Sequence, residues 1–372
     1  MKLSRRHFLL GSSVALSTLV SFPELHASKP RPLSNGADIS WLPEIEAAGG
    51  KFFDAKGRRI DAIALLKLSG VKVGRIRVFV NPLTENGSLK RAIALAKRLK
   101  TNGLEICIDL HCSDTWADPA NQTMPTGWSM EIDKLENEVY EYTQEILREF
   151  VNAGVTPKWI QVGNEVAGGF LWPLGKISSD DARQWQNFVR LQNASALAIR
   201  ELLPNALIIV HLECGGDSQR VQWWLSNAQK HGLNNFDILG LSYYSQWSGS
   251  LNELNKTLNV VTSTFKKPVV IAETAYPWTT QRFGNDVIDT VKALLSGHPL
   301  TINGQKKFVL SLEKLLRQQP GNRGLGLWWW EPMAMKVLSS NGAITWNGGM
   351  ANSTLIDSDG RALPALSALN GQ

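Results

Sequence analysis

Two glutamates stand at the ends of two similar apolar runs. Glu165 follows Trp159-Ile160-Gln161-Val162-Gly163-Asn164, and Glu273 follows Pro268-Val269-Val270-Ile271-Ala272. Both runs read as buried strands with a β-branched or aromatic body. A lone Glu at a strand end is ordinarily a solvated edge residue. Two on strands of the same grammar, one preceded by Asn164 and the other followed by Thr274, point instead to chemistry. Cleavage of a glycosidic bond uses such a pair: one carboxyl group exchanges the proton of the leaving oxygen, and the other attacks or activates water. A parallel α/β barrel brings strand ends together at its C-terminal face, where such a pair can meet.

The rest of the chain supplies the elements this requires. Strand patterns are predicted at 36–40, 73–80, 104–110, 159–164, 207–212, 237–244, 269–273 and 325–330. Helical periodicity lies between them at 88–100, 131–153, 181–203, 218–231 and 252–265, then at either 285–295 or 306–318, with a closing helix at 362–369. Eight strands alternating with helices predict a single (β/α)8 TIM barrel. A doubly wound sheet would need a glycine-rich turn after its first strand, and Asp38-Ile39-Ser40-Trp41-Leu42-Pro43 is nothing like one. Two long loops, 112–130 and 276–285, follow strand ends, where substrate-binding loops belong.

The strand ends are loaded with polar groups. Arg75 and Arg77 alternate on the second strand, so both are predicted to face inward. A buried Arg needs a partner, and Asp38 on the first strand is a candidate. Asp109 and His111 share a face of the third strand. The sixth ends in Ser242-Tyr243-Tyr244 and the eighth in Trp328-Trp329-Trp330-Glu331-Pro332. Packing alone does not explain so many polar and aromatic ends converging on one mouth.

Six segments carry a family resemblance. They are Gly36-Ala37-Asp38-Ile39-Ser40-Trp41-Leu42-Pro43, Arg75-Ile76-Arg77-Val78-Phe79-Val80-Asn81-Pro82, Ser113-Asp114-Thr115-Trp116-Ala117-Asp118-Pro119, Gln161-Val162-Gly163-Asn164-Glu165, Glu273-Thr274-Ala275-Tyr276-Pro277 and Trp330-Glu331-Pro332. The chain resembles the arabinogalactan endo-β-1,4-galactanases, glycoside hydrolase family 53, from about Gly36 to the C-terminal segment. The resemblance implies a retaining barrel glycosidase acting on β-1,4-galactan side chains of pectin, with Glu165 as acid/base and Glu273 as nucleophile. Glu273 must be ionised, and Arg77 together with the Tyr244 hydroxyl is expected to hold it so. Glu165 must start protonated, and the Glu273 charge and apolar walls are expected to raise its pKa. Asn164 is placed for the sugar 2-hydroxyl, Trp330 for the floor under the scissile sugar and Trp116 for a cleft wall. Asp114, His111 and Asp109 complete the expected binding and support set. Bacterial relatives often carry an acidic calcium-binding loop after the Glu-Thr-Ala-Tyr-Pro segment. Here Thr279-Thr280-Gln281-Arg282-Phe283-Gly284-Asn285-Asp286 offers one Asp and an Arg, and a hard cation takes six or more oxygens. No calcium there, and no cofactor, is therefore expected.

Composition fits a globular enzyme: 372 residues, 43% hydrophobic and 19% charged, with 14 Trp whose flat faces suit sugar rings. The net charge of +6 is spread without a basic-aromatic run, which argues against nucleic acid. The six His show no His-Glu-x-x-His spacing, which argues against a metal hydrolase. Cys107 and Cys112 would lie roughly 16 Å apart if extended, and a disulfide needs less than about 7 Å. All three cysteines, with Cys214, therefore read as buried free thiols. Ser4-Arg5-Arg6-His7-Phe8-Leu9-Leu10, the apolar run to Phe22 and Leu25-His26-Ala27 read as a twin-arginine signal over residues 1–27, preceding a catalytic domain at 28–372. The apolar run is shorter than the about 20 residues that span a bilayer. The expected product is an exported, periplasmic or secreted monomer acting on polysaccharide. Two other readings stay open: a barrel glycosidase acting on mannan, xylan or a galactoside, and a non-catalytic carbohydrate-binding protein.

Overall fold

The computed structural model describes residues 32–370, so the expected signal at 1–27 lies outside the described residues. Eight parallel strands close into a barrel. They are β1 (Gly36–Asp38), β2 (Val73–Val78), β3 (Glu105–Leu110), β4 (Trp159–Val162), β5 (Leu207–Leu212), β6 (Ile238–Ser242), β7 (Val269–Thr274) and β8 (Gly324–Trp329). Around them run α1 (Ala62–Leu68), α2 (Leu89–Thr101), α3 (Ile132–Asn152), α4 (Ala182–Leu202), α5 (Ser218–Lys230), α6 (Leu251–Asn259), α7 (Ile302–Arg317) and the closing α8 (Pro364–Ala368). Each strand pairs with its sequence neighbours, and β1 closes the ring against β8 through Gly36 opposite Trp328.

The TIM barrel expected from the sequence is the fold observed. Helix starts follow local chemistry: Asp61, Ser88, Asp181 and Thr301 accept backbone N–H groups at the first turns of α1, α2, α4 and α7. The helix expected at 252–265 divides into α6 and a π-helical turn, Val260–Thr264. Of the two candidates before β8, the second is the long helix, α7. At the active face, β1, β2, β4 and β6 each stop two residues earlier than expected. The reason is local: terminal backbone groups leave the ladder for other partners, Ser40 N–H donating to the Asp38 side chain and the Phe79 and Val80 N–H groups to the Gly87 and Ser113 carbonyls.

The barrel interior is layered. Towards the N-terminal ends it is apolar, with Trp159 of β4 meeting Trp328 of β8 edge-on at 5.7 Å and Val73, Ile209 and Val270 around them. Gly36 is required here, because a Cβ on it would come within 2.5 Å of the Trp328 ring. Towards the C-terminal ends the inward positions become Arg75, Asp109, Gln161, His211 and Glu273, all buried. Strand alternation thus turns an apolar plug into a polar layer about two residues further along each strand. Cys107, Cys112 and Cys214 are buried free thiols.

Candidate active site

Arg75 organises the polar layer. Its guanidinium ion-pairs with Asp38 at 2.8 Å, Asp109 at 2.8 Å and Glu273 at 2.9 Å, and donates to Gln161 and Asn164. The Asp38 partner suggested by the sequence is in place. Three carboxylates crowd one cation, so the charge of each depends on the others. Burial raises Asp109, but Arg75 and then His111 outweigh it, and Asp109 is held below the usual carboxylate range.

Glu273 lies within β7, where the ladder slips register against both neighbours: Ile271 pairs with Leu241 and Leu327, but Glu273 pairs with Ser242 and Thr274 with Trp329. Arg75 and the Tyr244 hydroxyl, which donates at 3.1 Å, hold its two oxygens. The sequence assigned this contact to Arg77, and the structure moves it to Arg75. Arg77 lies two residues further up β2, about 6.6 Å nearer the mouth at strand spacing. There it pairs with Glu331 at 3.1 Å and lies over the Trp116 ring at 4.1 Å. Burial raises the pKa of Glu273 while Arg75 opposes it.

Glu165 is held differently. It stands three residues past the last ladder residue of β4, in the left-handed region at φ 52° and ψ 54°. For a residue other than glycine this costs roughly 1–3 kcal/mol and needs support from its surroundings. Cys112 and Glu331, just beyond β3 and β8, share this conformation at φ 51° and 48°. The Glu165 carboxylate accepts from the neutral Ser242 hydroxyl at 2.6 Å, and His211 Nε2 lies 2.9 Å from that same hydroxyl. Burial, then the charge of Glu273, lifts the Glu165 pKa well above the carboxylate range. Both carboxyl groups are thus raised, Glu165 well above its ordinary value and Glu273 with Arg75 opposing the rise.

Both glutamates line a cleft of about 1050 Å³, with Asn164, His111, Tyr244 and Trp330. Trp41, Trp116 and Trp330 form an aromatic wall with ring centroids 5.7–6.4 Å apart. His111 lies 3.0 Å from Asp109, and its Nδ1 accepts the Ala117 N–H. Asp109 itself lies beneath the cleft as a buried support. Asp114 is not brought to the cleft. Its two oxygens accept the N–H groups of Asn81 and Thr126, tying two loops together.

Sequence reading passed over His211 and Gln161, although each interrupts a hydrophobic strand at an inward position. Glu213, half-buried beside the cleft and paired with Arg220 at 2.7 Å, gave no such signal. Gln122 had none either, because it reaches the site only through loop folding. Among the described residues no cluster of three or more His, Cys, Asp or Glu could hold a metal ion. Asp286 accepts instead from the backbone of Phe283 and Asn352.

The model of "Glycosyl hydrolase family 53" matches residues 34–369. The chain belongs to glycosyl hydrolase family 53. An arabinogalactan endo-β-1,4-galactanase of Thermothelomyces thermophilus is 34% identical to it over 89% of this chain and 97% of the relative. A solved fungal β-1,4-galactanase superposes with a TM-score of 0.79 at 32% identity, over 91% of this chain and 99% of that one. The family 53 catalytic domain of Ignisphaera aggregans gives 0.83 at 30% identity, over 91% and 95%. This family 53 chain is accordingly a glycoside hydrolase, with its paired glutamates in the barrel mouth.

Proposed function

We propose that this hydrolase is a retaining endo-β-1,4-galactanase that cleaves galactan and arabinogalactan side chains of pectin by double displacement. The observation that carries the mechanism is the opposed environment of the two carboxyl groups across one cleft: Glu273 on a cation, Glu165 on a neutral hydroxyl. In the first step Glu273 attacks the anomeric carbon while Glu165 protonates the departing glycosidic oxygen. A covalent galactosyl-enzyme forms, and the Glu273 charge is neutralised. The second cause of the raised Glu165 pKa is then gone, so Glu165 can take a proton from water as that water displaces Glu273. Galactan is the substrate because the relatives that match nearly end to end are named for it. Asn164 and Trp330 would meet the scissile sugar, and Trp116 would wall it.

Digestion of β-1,4-galactan, followed over time by oligosaccharide analysis and by NMR of the first-formed anomer, tests this reading. Early release of oligosaccharides as the β-anomer is expected. Release of the α-anomer, or turnover of mannan or xylan in preference to galactan, would defeat it.

We also propose export by the twin-arginine route and action as a monomer. The cleft is complete within one chain, and among the described residues no helix is long and apolar enough to cross a membrane. Arg5→Lys with Arg6→Lys is expected to leave active protein in the cytoplasm. Unchanged export of that double variant would defeat the route.

A further inference from the structure

The left-handed backbone at Glu165 has a dedicated support outside the cleft. Gln122, in the loop between β3 and α3, is 2% exposed and does not line the cleft. Its Nε2 donates to the Asn164 carbonyl at 2.8 Å and lies 3.4 Å from the Glu165 carbonyl, with the Asp118 carbonyl at 3.1 Å. Those first two carbonyls belong to the peptide groups on either side of the Glu165 Cα. The amide orientation follows from its neighbours, because the opposite one would point Oε1 at three carbonyl oxygens. Its Oε1 has no hydrogen-bond partner although buried. A residue kept only for packing would not leave a buried oxygen unpaired to keep its NH2 on the acid/base backbone. The Gln122 carbonyl in turn accepts the Trp172 N–H at 2.8 Å, fastening the loop to the segment that follows Glu165.

We propose that Gln122 is a positioning residue for the general acid/base: by holding the peptide groups flanking Glu165 it sets where that carboxyl group points. The inference rests on the acid/base role of Glu165 given above. The two peptide planes determine the direction of the Cα–Cβ bond, and Ser242 meets the carboxyl group at the far end. Without the amide, the strained backbone can relax and carry the carboxyl group off the line of the glycosidic oxygen. Misplacement of about 1 Å in a catalytic group can cost on the order of a hundredfold in rate. Nothing in this contact touches Glu273.

The test compares Gln122→Met with wild type and with Glu165→Ala on two substrates. One is β-1,4-galactan, whose leaving sugar needs a proton. The other is 2,4-dinitrophenyl β-1,4-galactobioside, whose leaving group does not. For Gln122→Met, kcat on galactan is expected to fall about tenfold to a hundredfold with KM within about twofold. The pre-steady-state burst of dinitrophenolate should persist, the slow phase after it should lengthen, and azide should restore that phase, since azide needs no base. Equal loss of burst and galactan turnover would show general damage and overturn the proposal, as would undiminished galactan turnover. Should Gln122→Met not fold, Gln122→Glu keeps the side-chain shape, and the same comparison decides. If Glu165→Ala itself showed neither a retained burst nor azide rescue, the acid/base assignment would fail, and this inference with it.

Discussion

Glu165 and Glu273 are the same residue type at the same end of two strands of one barrel, yet their supports have little in common. Glu273 stays inside β7, at a register slip in the ladder, and its carboxylate is gripped directly by Arg75 and Tyr244. Glu165 sits on a left-handed turn beyond β4, its carboxyl group hydrogen-bonded to Ser242 and its flanking peptide groups met by Gln122 and His211. One site sets a cation against the carboxyl group and keeps its residue inside the strand. The other strains the main chain and sets a neutral hydroxyl against the carboxyl group. Division of labour between identical side chains thus comes from what surrounds them.

The most severe way to break the comparison is to remove each carboxyl group in turn. Either alanine substitution should cut galactan turnover by about a thousandfold or more, general acid–base removal alone costing roughly 10²–10⁴. The variants should differ under azide with an activated aryl substrate. Glu165→Ala should give the β-galactosyl azide, by attack on the covalent intermediate, and Glu273→Ala the α-azide, by direct displacement. The same anomer from both, read by NMR, would refute the role assignment.

Arg75→Met attacks the charged side only. Removing the cation strands Asp38, Asp109 and Glu273 together, and breaking a buried ion pair costs roughly 3–5 kcal/mol. Denaturant unfolding should show that loss. Glu273, already raised by burial, should rise further, so the acid limb of kcat/KM should move to higher pH. An unmoved acid limb would mean that Arg75 does not set the nucleophile charge.

Ser242→Ala is milder and touches the neutral side. The Ser242 hydrogen bond lowers the Glu165 pKa against the burial that raises it, so its loss should raise that pKa. Because the first step needs Glu165 protonated, the basic limb should shift to higher pH, with the acid limb unmoved. A shift to lower pH would show that Ser242 stabilises the acid form instead. The smallest expected effect is none: neither support includes a metal-ligating cluster among the described residues. Chelator should leave Tm and activity unchanged, since only a ligand bound to the native state adds stability. A fall of several degrees would reveal a cation that both supports depend on.

Eight strands, the alternating helices and both glutamates were legible from residue type and periodicity alone. That holds because burial imposes a period of two on strands and 3.6 on helices, and the parity of Arg75, Asp109 and Gln161 then follows. Which arginine meets Glu273 was not legible, because alternation says which face a side chain takes but not how high it sits against strands far off in sequence. The barrel's closure decides that height, placing Arg75 level with Glu273 and Arg77 level with Glu331. Asp114 was misplaced for the opposite reason: a short loop carboxylate finds backbone N–H groups at once, and its sequence neighbourhood does not show that they are already in reach. The sequence by itself determined the fold class, the two carboxyl groups and the strand ends that carry them. Only the tertiary structure decided their surroundings, because burial, the reach of Arg75 and the grip of Gln122 are contacts between segments that the chain keeps far apart.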